Sequence, residues 1–209
     1  MISSHHFVSF TDKFRYLGSI INTSLTANDD ISNRLKKAAR AYGAMRKVLC
    51  NRSINAKVRG QIYLVTVMAN LLFGCETWPM TEAQMHRLRL YHRKCIRWMT
   101  HFTLYKQWRL HTSTKKLERK LGLGDVEHYY SQRILRWMGN LSRMPPDRLP
   151  KQMMTAYVAH PRRVGRPQQN LGHSYEKVLK KAHISPNFHR WTQLAQNESE
   201  WKEITSSTP

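Results

Sequence analysis

The run Gln61-Ile62-Tyr63-Leu64-Val65-Thr66-Val67-Met68-Ala69-Asn70-Leu71-Leu72-Phe73 constrains the fold most. It is apolar on nearly every side of a helix, interrupted only by Thr66 and Asn70. A segment of this kind needs neighbours all round and belongs at the centre of a helical core. It is too short to span a bilayer. The sequence predicts a helix over Asn55–Phe73, capped by Ser53 or Asn55 and stopped by Gly74. Glu76-Thr77-Trp78-Pro79 then reads as an exit loop, with Pro79 biasing Trp78 toward an extended conformation.

The segments around this centre are amphipathic. Ile31, Leu35, Ala38, Tyr42, Met45 and Leu49 recur at 4-3-4-3-4 spacing and predict a helix over Asp30–Leu49. Asn28, Asp29 and Asp30 supply its expected cap. A helix over Glu82–Thr100 opens with a Thr81/Gln84 capping box and carries Met85, Leu88, Cys95 or Ile96, and Met99 as its stripe. Further helices are expected over Lys115–Leu121, from Asp125 to Met144, over Leu149–Val158, Tyr175–Ala182 and Trp191–Ile204. Near the start, Lys13 to Ile21 reads as a strand with Gly18 at a turn or bulge. The fold class is therefore mainly α: an irregular multi-helix bundle with a short N-terminal β element. The expected segments are 1–24 (strand), 25–159 (helical) and 160–209 (basic linker, then C-terminal helices).

Charge narrows the partner. The chain has 35 Lys/Arg against 13 Asp/Glu, a formal net charge of +22 over 209 residues. From Ile31 to Leu117 only Glu76 and Glu82 are acidic, against 18 basic residues. Such a surplus attracts polyanions. Arg34, Lys37 and Arg40 lie off the stripe of their helix, and Arg87, Arg93, Lys94 and Arg97 do the same in the next basic helix. A solvated face is the plainer reading of one such helix, and its recurrence in two favours phosphate contact. Arg162, Arg163 and Arg166 add an exposed basic loop. Phe102, Tyr105 and Trp108 alternate with Lys106 and Arg109, a pattern suited to stacking on bases while cations hold phosphates. Trp98 and Phe102 read first as core residues, and Trp108 stands evenly between core and stacking.

Other chemistry finds little support. Three widely spaced cysteines, Cys50, Cys75 and Cys95, argue against a disulfide framework and for a reducing compartment. Met1 to Phe10 shows no signal-peptide pattern. His92 and Cys95, with Cys75, do not make a compact zinc pattern, and a buried thiol is the simpler fate of Cys95. His5-His6 lacks a partner at ligand spacing. Glu118, Asp125, Glu127 and His128 are the nearest approach to a nuclease cluster, and helix capping explains Asp125 more simply. No catalytic residue, metal or cofactor is expected.

Several stretches together resemble one family. Phe14-Arg15-Tyr16-Leu17-Gly18, Asp30-Ile31 with Arg34 and Ala38-Ala39, Lys57, Tyr63 and Phe73-Gly74-Cys75-Glu76-Thr77-Trp78 are similar to the C-terminal part of reverse transcriptases from non-LTR, LINE-type retrotransposons. So are Arg136-Trp137-Met138-Gly139, Arg143-Met144, Asp147-Arg148-Leu149-Pro150, Gly165-Arg166-Pro167, and a closing segment with Trp191, Leu194-Ala195 and Trp201. The chain departs from the family at Asn140, Leu171 and Asn197-Glu198, where His, Trp and an Asp-Arg pair are usual. The resemblance implies a primer-grip-like segment at Phe14, Tyr16, Leu17 and Gly18, followed by the thumb helices and a C-terminal extension. The family's aromatic-Ala-Asp-Asp catalytic motif has no counterpart, since Asp29-Asp30 follows Ala27-Asn28 and reads as a helix cap.

The expected function is that of a polymerase fragment, not itself an enzyme, which binds RNA or an RNA–DNA template–primer. A polymerase palm and fingers body is an expected partner, no membrane is, and an intracellular, nuclear location is expected. The alternatives are a non-functional remnant, a small helical interaction module, or one piece of an active polymerase whose catalytic part is encoded upstream.

Overall fold

The computed structural model describes residues 11–24, 26–155 and 170–207. The apolar run lies at the centre of the bundle but is not one regular helix. Helix α2, Ala56–Tyr63, passes into a π-helical stretch, Leu64–Met68, and then into α3, Ala69–Leu71. The Asn55 side chain accepts from Lys57 N–H and caps the start, and Gly74, at φ 75°, turns the chain at the end. The π stretch widens the turn and rotates the faces. Tyr63, Val67, Leu71 and Leu72 stay buried, whereas Val65 is 73% and Phe73 50% exposed. The all-round burial expected for this run is corrected at those two positions.

Two long helices flank it. Helix α1 is Asn28–Leu49 and helix α4 is Glu82–Thr100. At one end Gln84 Nε2 donates to Asn28 Oδ1 and Arg87 Nη2 to Ser32 Oγ. At the other end the Tyr42 and Trp98 rings lie 5.2 Å apart and His101 Nε2 meets the Cys50 carbonyl at 2.9 Å. The two helices therefore run parallel, with the α2–α3 segment antiparallel between them. The buried Arg59 on α2 donates from Nη1 to the Leu49 and Met99 carbonyls, at 3.2 and 2.7 Å. One cation thus satisfies carbonyls at the negative ends of two helices.

The Thr81/Gln84 capping box of α4 is present in full. The expected cap of α1 is corrected. Its N-cap is Ala27, which makes no side-chain cap bond, and Asn28, Asp29 and Asp30 form the first turn instead.

The N-terminal β element is a hairpin. Strands β1, Lys13–Tyr16, and β2, Ser19–Asn22, pair antiparallel with Phe14 opposite Ile21 and Tyr16 opposite Ser19. Leu17 and Gly18 make the turn at φ 46° and 87°, a left-handed pair in which Gly18 is unstrained and Leu17 is not. After α4 come α5, Leu104–Arg109, α6, Thr114–Leu121, and α7, Val126–Arg143. Asp125 caps α7, as its position suggests. Helix α8 is Leu149–Thr155, and the expected extension to Val158 lies outside the described residues.

Helices α9, Leu171–Lys181, α10, Phe188–Gln196, and α11, Glu198–Ser207, pack on α7 and share the same core. The single closing helix expected over Trp191–Ile204 is broken at Asn197, whose extended backbone separates α10 from α11. Trp201 donates from Nε1 to the Leu135 carbonyl at 2.8 Å and lies directly on Gly139. The expected linker around 160–167 lies outside the described residues. No helix among the described residues is long and apolar enough to cross a membrane.

Candidate nucleic-acid interface

The segment 73–78 is a hub. Gly74 and the short 3-10 turn Cys75–Thr77 deliver Trp78 into the core. Trp78 Nε1 donates to Asp30 Oδ2 at 2.9 Å, while Asp30 Oδ1 accepts from Ile20 N–H at 3.1 Å. Arg133 on α7 donates to the Leu72 carbonyl, and Tyr175 on α9 donates its hydroxyl proton to the Glu76 carbonyl. This turn therefore ties the hairpin, α1, α7 and α9 together.

Arg34 belongs to the hub and is corrected as a nucleic-acid ligand. It is 2% exposed. Its Nη2 donates to the Gly18 carbonyl at 2.8 Å, its Nε lies 3.7 Å from Asp30, and its guanidinium covers the Phe73 ring at 4.3 Å. Burial is the main cause that lowers its pKa, with Asp30 opposing. A guanidinium so engaged has no face left for a phosphate. Its spacing four residues after Asp30 was the available signal.

The remaining cations of α1 and α4 are differently placed. Lys36, Arg40 and Lys47 lie on the outer side of α1, at spacings of four and seven residues. Arg87 and Lys94 are exposed, Arg87 reaching Ser32 across the seam between α4 and α1, and Arg97, three residues after Lys94, is half-buried. Arg93 is half-buried on the side of α4 toward Glu118. Lys37 lies toward the hairpin turn, where burial first, then Arg34 and Arg15, lower its pKa. Among the described residues, Lys36, Lys37, Arg40, Lys94 and Arg97 form no ion pair and no side-chain hydrogen bond.

The carboxylates are committed to other cations: Asp29 to Lys13 and Asp30 to Arg34. Glu82 pairs with Lys177 and Arg89, Glu127 with Arg89 and Lys181, and Glu76 with Arg133. Lys177 and Arg89 hold the Glu82 carboxyl below its ordinary range. The result is an α1–α4 face of unneutralised cations.

Beyond α4 the aromatics emerge. Trp98 is half exposed, with Tyr42 behind it and Lys94 Nζ 4.9 Å from its ring centroid. Its expectation as a core residue is corrected, because it closes the α1–α4 seam from outside. Phe102 is half-buried under Lys106 Nζ at 5.0 Å. Trp108 stands in solvent. Arg162, Arg163 and Arg166 lie outside the described residues. The outer face of the hairpin carries Phe14 and Tyr16, stacked at 6.5 Å and 26°, with Leu17 and Ile21 exposed beside them and Gly18 at the turn.

The zinc candidates are held otherwise. His92 is fully buried, with Nδ1 2.9 Å from Tyr63 Oη and Nε2 3.0 Å from the Gly124 carbonyl. Burial depresses its pKa to about 4, so it is neutral at pH 7, donating from Nε2 and accepting at Nδ1. Cys95 is buried, as expected, and burial pushes its thiol up to about 11. No three His, Cys, Asp or Glu side chains are grouped to hold a metal among the described residues.

No family model matches the chain, and no solved structure matches it. A Caenorhabditis elegans protein described as transposon-derived is 23% identical over 197 residues, which cover 91% of this chain and 68% of that protein. That similarity points to a transposable-element origin.

Proposed function

We propose that the chain is the thumb and C-terminal region of a LINE-type reverse transcriptase-like protein. In this reading it binds RNA or an RNA–DNA template–primer in the nucleus, without a catalytic site of its own, and steers the nucleic acid for a palm and fingers body. The observation that carries the binding is the separation of charges. Among the described residues, Lys36, Lys37, Arg40, Lys94 and Arg97 on α1 and α4 have no ion-pair partner, while the acids of these helices and their neighbours pair with other cations. Unpaired like charges oppose one another, and a row of phosphates relieves that repulsion. Similarity to a transposon-derived protein supports the origin.

The test is fluorescence anisotropy with an RNA–DNA hybrid. Four neutralised phosphates predict a loss of affinity of about a hundredfold between roughly 50 and 200 mM salt. Undetectable binding at low salt, or binding indifferent to salt, would refute the reading.

A second reading, a helical interaction module or a remnant that needs a protein partner, draws on the hairpin. The central apolar run is largely buried, but Phe14, Tyr16, Leu17 and Ile21 present an exposed apolar face. A monodisperse monomer with one cooperative thermal transition would count against it. Aggregation relieved by a palm-containing partner would favour it.

A further inference from the structure

The exposed rings on α5 are built differently from the cationic face. Tyr105 is 66% and Trp108 72% exposed, with ring centroids 6.2 Å apart at 36°. Among the described residues, neither the Tyr105 hydroxyl nor the Trp108 indole N–H has a hydrogen-bond partner, and the ring contact recorded for each is with the other. Leu104 and Leu110 lie exposed on either side.

The short helix that carries the rings is nevertheless held in place. His101, left-handed at φ 57°, ends α4 and bonds the Cys50 carbonyl. The Thr103 hydroxyl accepts from Lys106 N–H at 3.1 Å and caps α5. Gln107 Nε2 donates to Thr114 Oγ1, and its carbonyl accepts from Thr112 N–H. A surface helix fixed at both ends, with two large rings turned to water, is a preorganised ledge.

Its surroundings name the occupant. Between Ala83 and Leu117 there is no Asp or Glu, and Lys106, Arg109, Lys115 and Lys116 are exposed on α5 and at the start of α6. The inner rings, Trp98 and Phe102, are each covered by a lysine, while among the described residues no cation lies over the outer pair. Rings among cations match a strand that offers π-faces and phosphates together. In a duplex the base faces are stacked on each other and unavailable, so such rings engage unpaired bases.

We infer that the Tyr105–Trp108 ledge binds the unpaired nucleotides of a single-stranded polynucleotide, with Lys106 and Arg109 on its phosphates. This rests on the proposed nucleic-acid binding and specifies which form of the ligand occupies this part of it. Stacking and phosphate contacts do not read the 2′-hydroxyl, so the ledge is tolerant of sugar and sequence.

The test uses the full chain, a 12-nucleotide oligo(U), a 12-nucleotide oligo(dT) and a blunt 12-base-pair RNA–DNA hybrid. Replacement of both rings in Tyr105→Ala/Trp108→Ala is expected to weaken both single strands roughly 10- to 100-fold and the hybrid less than about threefold. Oligo(U) and oligo(dT) are expected to bind within about fivefold of each other, and tryptophan quenching by either is expected to shrink in Trp108→Phe. Far-UV circular dichroism keeps loss of fold apart from loss of stacking. If the double variant binds single strands as wild type does, the ledge is overturned while hybrid binding leaves the proposed function standing. A large preference for one sugar also overturns it. If wild type binds none of the three probes, both proposals fall.

Discussion

Asp30 shows how one residue can be misread in sequence and decisive in structure. At a helix start it reads as a cap, yet its side chain is buried and accepts from Trp78 Nε1 and Ile20 N–H beside Arg34. Removing it leaves the buried Arg34 guanidinium without its counter-charge, and the Trp78 indole N–H and Ile20 N–H without their acceptor. Asp30→Ala is therefore predicted to cost about 3–5 kcal/mol in a urea titration, and Trp78→Phe, which removes one neutral donor, about 1–2 kcal/mol. Equal effects of the two would contradict the hub. His92 offers a second check, through pH. Its folded pKa of about 4 lies below the ordinary 6.5, so between those values the unfolded chain binds more protons than the native one. Stability should fall as pH drops from about 6.5 to about 4, by up to about 1.4 kcal/mol per unit. The buried Glu118, whose pKa is raised, works in the opposite sense near the foot of that window. His92→Gln should shrink the difference in urea midpoint between pH 7 and 5, and an undiminished difference would place the acid sensitivity elsewhere.

At the scale of elements, the bundle is held by close approaches and by cations on carbonyls. A Cβ on Gly60 of α2 would strike the Leu121 carbonyl, and one on Gly139 of α7 would strike the Trp201 indole. Gly43 of α1 has nothing within 4 Å. Gly43→Ala should thus stabilise by up to about 1 kcal/mol through helix propensity. Gly60→Ala and Gly139→Ala should each lose about 1–3 kcal/mol despite the same propensity gain, read as thermal midpoints. These contrasts were not legible in the sequence, because a glycine inside a helical pattern does not say what crosses it. The helices themselves were. The 4-3-4-3-4 stripe of α1, the capping box of α4 and the Asp125 cap all reflect local rules that the packing obeys. Where packing overrode periodicity, the reading failed. Leu64–Met68 adopts a π turn that puts Val65 in water, and Asn197 breaks the closing helix so that α10 and α11 can each lay a tryptophan, Trp191 and Trp201, against the core.

For the whole molecule, net charge indicated a polyanion partner but not which cations would meet it. Arg34, Arg59, Arg133 and Arg143 use their guanidinium groups on backbone carbonyls, so part of the basic surplus is structural. Apart from the Asp30 spacing of Arg34, no pattern in the sequence separates these from Arg40, Lys94 and Arg97, because the distinction depends on which carbonyls come within reach. In the proposed function the α1–α4 face, and not the overall charge, binds nucleic acid. Two triple variants with the same change in net charge separate these. Arg40→Glu/Lys94→Glu/Arg97→Glu alters the face, and Lys180→Glu/Arg190→Glu/Lys202→Glu alters cations of the C-terminal helices. Affinity for an RNA–DNA hybrid at about 100 mM salt is the measurement. The face variant should lose at least about thirtyfold, with a shallower salt slope, while the other should lose only a few-fold. Equal losses would show that charge alone does the binding and would contradict the assigned face.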